Sequence, residues 1–198
     1  MREFATGAAL GFVISMLFMV ADVAGSVAGM AMSLSMAGMV DPNTGDQSTA
    51  VANFLTLGAM MAFVALDGHH EAIKGLIYNF RLFPVGTANA AGFDVEGIAQ
   101  MATALFGTGI RLAAPIVVTT TLINVGLGLM ARAAPQVNIF AVGFSILLIA
   151  GTLLLDATVV GLEREMAVRV PTLATEMNEG LILLHGPHSG QALPGGAP

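Results

Sequence analysis

The chain of 198 residues contains no cysteine, which excludes disulfides, thiolate metal ligands and a cysteine nucleophile. Charge is also scarce: 10% of residues are Asp, Glu, Lys or Arg, against the roughly 25% of an average soluble domain. Seven basic residues face thirteen acidic ones, for a formal charge of -6, so no basic field exists to hold nucleic acid. A Gly-x-Ser-x-Gly elbow, a Gly-x-x-x-x-Gly-Lys phosphate loop and a Gly-x-Gly-x-x-Gly turn are all missing, and with them the usual signatures of serine-hydrolase and nucleotide chemistry.

What is present is apolar. Hydrophobic residues make up 56% of the chain and the mean hydropathy is +0.82, so water is not its main solvent. The first apolar run, Phe4 to Val40, carries one charge, Asp22, and closes at the turn formers Asp41-Pro42-Asn43-Thr44-Gly45-Asp46. It is far longer than the roughly 7 to 15 residues of a signal-peptide core and is expected to stay in the mature chain. A second run, Ala50 to Leu66, continues past Asp67-Gly68-His69-His70 into an amphipathic helix with apolar Ile73, Leu76, Ile77 and Phe80. A third helix is predicted from Val95 to Ala134. After the break Pro135-Gln136-Val137-Asn138, a fourth runs from Ile139 to Leu162 with Asp156 inside it.

The fold class is therefore all-α: membrane helical hairpins of about four long apolar helices, with a short amphipathic segment over residues 166–185. Residues 1–185 form one membrane domain, and the Gly- and Pro-rich residues 186–198 are expected to be a disordered tail. Positive charge collects in cytoplasmic loops. Arg2, Lys74, Arg81, Arg111, Arg164 and Arg169 then lie on one side and Arg132 on the other, with both termini cytoplasmic.

Gly7, Gly11, Gly25 and Gly29 form two small-xxx-small pairs eighteen residues, or about five turns, apart, and so share one helix face. That face is expected to pack within the chain or against another subunit. Asp22 lies beside it and should face protein or a wet cavity, because a carboxylate is costly in hydrocarbon. Met30, Met32, Met36 and Met39 crowd before Asp41-Pro42, interleaved with small residues. They are either adaptable filling of a membrane core or a deformable apolar seal.

His70-Glu71-Ala72-Ile73-Lys74 mimics a zinc-peptidase His-Glu-x-x-His, but Lys74 stands where the second ligand belongs, and an ammonium has no lone pair to give. His69, His70, Glu71 and Lys74 read instead as the polar end of a helix at the membrane surface. No catalytic residue, metal or cofactor is expected. Asp22 and Asp156 leave one alternative open, a small autonomous transporter using them as proton-linked groups.

From Arg111 the chain reads Arg-Leu-Ala-Ala-Pro115, then Leu122-Ile-Asn124-Val-Gly-Leu-Gly-Leu-Met-Ala-Arg132, then Ala-Ala-Pro135-Gln136-Val-Asn138-Ile-Phe140-Ala-Val-Gly143-Phe144. This closely resembles the FliR family of flagellar biosynthesis proteins, also found as the SctT component of injectisomes. The likeness extends to Gly7–Phe12, Met39–Gly45, Leu66–His69 and Phe80–Gly86. Two departures stand out. Family members begin with further apolar helices, so this chain is expected to be a fragment, a mis-started frame or a reduced paralogue. Ser145-Ile146-Leu147 also replaces the proline and basic residue that commonly follow Gly143-Phe144.

The resemblance implies a channel-forming subunit of a type III export gate in the bacterial inner membrane, passing unfolded substrates. Its implied partners are FliP-like and FliQ-like subunits, with an FlhB-like subunit as a further candidate. It also implies that the stretch Met32, Met36, Gly38, Met39, Val40, Asp41 and Pro42 plugs the closed channel. In the assembled family complex the helices sit partly above the bilayer plane.

Overall fold

The computed structural model describes residues 2–33, 50–82, 95–133, 136 and 138–177. These form α1 (Arg2–Ala31), α2 (Ala50–Ala65), α3 (Gly68–Leu82), α4 (Val95–Ala133) and α5 (Ile139–Arg169). No strand occurs among the described residues, and the fold is all-α as the hydrophobic runs predict. Leu10–Ala31, Ala99–Ala133 and Ala141–Arg169 are each long and apolar enough to cross a membrane; α2 and α3, bent by 70°, add a fourth span if counted together.

Two helix ends are set by local structure. α1 ends at Ala31, inside the apolar run to Val40: Met32 still bonds the Ala28 carbonyl, but Ser33 takes a left-handed φ of 62°. α5 continues past Leu162 to Arg169. Glu165 pairs with Arg169 one turn on, so the charges that close the apolar run support the helix rather than stop it. Pro171 then ends it, since it has no N–H to give to the carbonyl one turn back. Residues 173–177 add one more helical turn; the rest of the expected amphipathic segment and the tail lie outside the described residues.

α1 is the central helix. Val20, Ala21, Ala24 and Ala28 are essentially inaccessible, packed with Leu55 and Ala59 of α2, Ala113 and Ile116 of α4, and Leu162 and Met166 of α5. Small residues set the crossings. A Cβ on Gly25 would lie 2.3 Å from the Ala52 Cα, and one on Gly109 would lie 3.0 Å from the Val20 carbonyl oxygen. Without those side chains the backbones close to van der Waals range, the main attraction between helices in lipid.

α2 runs antiparallel to α1, with Ala52 against Gly25 and the Phe63 ring edge-on to Phe18 at 5.4 Å. The chain then turns. Asp67 adopts a left-handed φ of 57°, and Gly68 sits so close to the Phe63 ring that a Cβ would meet it at 2.4 Å. α3 leaves at 70° to α2, its inner face resting on the last helical turn, where Gly75 meets Met177. Leu173 and Met177 in turn bury against Leu10 and Val13 of α1.

Candidate functional site

The residues that the sequence singles out gather mainly on α4 and α5. α4 has 39 residues, about 58 Å of helix at 1.5 Å per residue, nearly twice the roughly 30 Å of a hydrocarbon core. Its first half packs along α1. The Met32 side chain, just past the end of α1, lies against Gly151 of α5. From Thr121 to Ala133 no α4 residue is buried, and among the described α5 residues before Leu147 only Gly143 is. There Gly143 packs on Leu127, closing the two helices onto each other. The α4–α5 hairpin thus continues past the body of the bundle with both outer faces open among the described residues.

Asn124, Arg132, Gln136, Asn138 and Gly143 all belong to this half of the hairpin. Asn138 is its cap: the Oδ1 accepts from the Ala141 N–H at 3.3 Å, satisfying one of the backbone donors that a helix start leaves open. Asn124 and Arg132 are exposed on α4, with apolar Val118, Leu122, Val125 and Leu129 exposed around them. An amide and a guanidinium on an otherwise apolar surface suit hydrogen bonding to other helices better than contact with lipid tails. Pro135 and the Phe140 side chain lie outside the described residues.

Pro115 and Arg111 sit nearer the body, both exposed. Proline cannot donate to the Arg111 carbonyl one turn back. Beside this break the buried Thr158 hydroxyl of α5 donates to the Leu112 carbonyl at 3.2 Å, and Gly161 makes room for the Leu112 side chain. Sequence reasoning missed Thr158. Its signal is slight, one of three hydroxyls in an apolar run with Ser145 and Thr152, and its partner lies 46 residues away.

The glycine face divides. Gly25 and Gly29 are buried, whereas Gly7 and Gly11 are exposed, with nothing within 4 Å of where a Cβ would stand. All four do share a direction, but α2 ends opposite Phe18 and the bend at Asp67 takes the chain away before it reaches Gly11. Asp22, expected inside protein or a wet cavity, is exposed in the chain by itself, as is Asp156 on α5. Of the candidate plug, Met32 is described: it is 2% accessible and fills the space above Gly151. Met36, Gly38, Met39, Val40, Asp41 and Pro42 lie outside the described residues.

Asp67, His69 and His70 bring three possible metal-ligating atoms within 4.8 Å of one another. The left-handed turn at Asp67 creates the group by folding the carboxylate back to the His70 Nδ1 at 3.2 Å. A residue pattern cannot show such a turn. The three side chains are exposed and stand at the start of α3, where the helix dipole opposes a cation. Glu71 and Lys74 pair with each other at 2.6 Å, as their spacing predicts.

The fold and this hairpin define a multi-pass helical membrane protein with large apolar side chains exposed along its helices. Residues 1–170 match the family described as "Bacterial export proteins, family 1", and the chain belongs to that family. It is 31% identical over 145 residues to the flagellar biosynthetic protein FliR of Bacillus subtilis (strain 168), covering 72% of this chain and 56% of that protein. FliR of Escherichia coli (strain K12) is 30% identical over 156 residues, covering 79% of this chain and 60% of that protein. The surface presentation of antigens protein SpaR of Shigella sonnei is 26% identical over 145 residues, covering 73% and 56%. The chain thus spans 56% to 60% of the length of these curated relatives.

Proposed function

We propose that this chain is a structural, channel-forming subunit of a type III protein export gate in the bacterial inner membrane, with no reaction of its own. The observation that carries the reading is the placement of the family motif. Asn124, Arg132, Gln136, Asn138 and Gly143 occupy the half of the α4–α5 hairpin that the rest of the described chain leaves uncovered. Polar groups held that way are supplied with partners by assembly. The partners proposed are FliP-like and FliQ-like subunits, with an FlhB-like subunit as a further one. Asp22, Asp156 and the open Gly7–Gly11 face would meet those subunits or a watery lumen.

In this reading the stretch from Met32 to Pro42 closes the channel. Met32, wedged on Gly151, anchors its base to α5. Unbranched thioethers beyond it can repack around nothing when shut and around a passing chain when open. Co-purification in mild detergent tests the assembly: the chain should emerge with FliP-like and FliQ-like subunits, and an Asn124→Leu, Arg132→Leu double variant should emerge with less of them. A chain that purifies alone and carries a proton-linked signal lost in Asp22→Asn would refute it and establish the transporter. Deleting Met36 to Val40 in the assembled complex should raise ion leakage; unchanged leakage would remove the plug role.

A further inference from the structure

We infer that α3 is an interfacial helix, lying in the plane of the membrane with its apolar ridge among phospholipid acyl chains and its basic flank on the phosphates. The inference is independent of the export-gate reading. Its first support is direction. α2 exposes Phe54, Leu57, Met60, Met61 and Val64, an apolar surface suited to lipid. α3 leaves it at 70°, so if α2 stands along the bilayer normal, α3 lies close to the membrane plane. The bend is built in, through the left-handed Asp67 and the close seat of Gly68 against Phe63.

The second support is the division of α3 into three faces. The inner face is made of small residues, Gly68, Ala72 and Gly75, which rest on the chain. The outer ridge, Ile73, Leu76, Ile77 and Phe80, repeats at i, i+3, i+4 and i+7 and is 41% to 53% exposed. Four large apolar side chains in a row toward water cost what burial would return, about 25 cal/mol per Å². Between them runs a polar flank of His70, Lys74, Tyr78 and Arg81, exposed at every position.

Charge decides the occupant. Lys74 is 67% exposed, whereas its partner Glu71 is 23% exposed and turned toward the chain. Asp67, 75% exposed, pairs with His70 at the bend, so the cations of the flank stand toward its far end, at Lys74 and Arg81 beside the apolar ridge, an arrangement of helices seated at the headgroup boundary. The long Lys74 and Arg81 stems can lie along apolar surface while their heads reach phosphate. Two of the seven basic residues of the whole chain stand on this one helix.

The chain has no tryptophan, which makes the test clean. Full-length Ile77→Trp and Phe80→Trp reporters are placed on the exposed ridge, and Tyr78→Trp on the flank. Each is reconstituted, at one chain per particle, in nanodiscs of phosphatidylglycerol and phosphatidylethanolamine with or without bromine on the acyl chains. The expected result is a blue-shifted emission that loses intensity in brominated lipid for both ridge reporters, and quenching by aqueous acrylamide for Tyr78→Trp. Adding Lys74→Gln and Arg81→Gln should weaken the brominated-lipid loss. Ridge reporters quenched by acrylamide would overturn the inference by placing the ridge in water. Ridge reporters shielded from both quenchers would overturn it by placing the ridge against protein.

Discussion

Replacing Gly25 with alanine adds one carbon at the tightest crossing of the bundle. That Cβ would lie 2.3 Å from the Ala52 Cα, 2.8 Å from its nitrogen and 3.0 Å from the Val51 carbonyl oxygen. All three atoms are backbone, so no side chain can swing aside. α1 and α2 must separate until the first distance reaches the 3.4 Å at which ordinary contact begins, loosening Val51, Leu55 and Ala59 from the core. Overpacking of this kind costs about 1–3 kcal/mol, and backbone contact places Gly25→Ala near the top of that range. Alanine returns up to about 1 kcal/mol of helix propensity, leaving a net loss of about 1–2 kcal/mol. Gly11→Ala is the control: it adds the same carbon to the same helix with nothing within 4 Å, so the propensity gain stands alone. The assay is SDS titration of the detergent-solubilised chain followed by circular dichroism. Gly25→Ala should lose helix at a lower SDS fraction than wild type, and Gly11→Ala at the same or a higher one. Equal midpoints for the two variants would refute the α1–α2 crossing.

Thr158→Val keeps the shape of a buried side chain but removes the donor to the Leu112 carbonyl. It should cost about 0.6–1.7 kcal/mol, the scale of interhelical hydrogen bonds in membrane proteins, in the same titration. Met32→Ala empties the space above Gly151 and should cost about 2–4 kcal/mol; a loss below the cost of a surface change would show that Met32 is not packed there. Asn138→Ala removes the cap of α5 and should cost about 1 kcal/mol, with Asn138→Asp restoring most of it. A chelator should leave the unfolding midpoint unchanged. A drop reversed by zinc would place an ion on Asp67, His69 and His70.

Hydrophobic run length is a one-dimensional property, and it alone gave the all-α membrane class, the approximate span positions and the break before Asn138. A bilayer admits few other solutions for such runs. The order of the blocks from Arg111 to Phe144 likewise carried the family. Terminations were less legible: the stop at Ser33 and the bend at Asp67 depend on single left-handed residues whose types do not require that conformation. The continuation of α5 through Glu163-Arg164-Glu165 was hidden because charge reads as an end of apolarity, whereas an i,i+4 pair sustains a helix.

Which glycines meet a partner was beyond the pattern altogether. Periodicity places Gly7, Gly11, Gly25 and Gly29 on one face, but only the length and bend of α2 decide that Gly25 is covered and Gly11 is open. The same holds for Thr158 and Leu112, joined across 46 residues. The sequence by itself determined the solvent, the helices and the family, because hydropathy and motif order are written along the chain. The tertiary structure decided which faces are spent inside the chain and which are left for lipid or other subunits, because that follows from where neighbouring helices end.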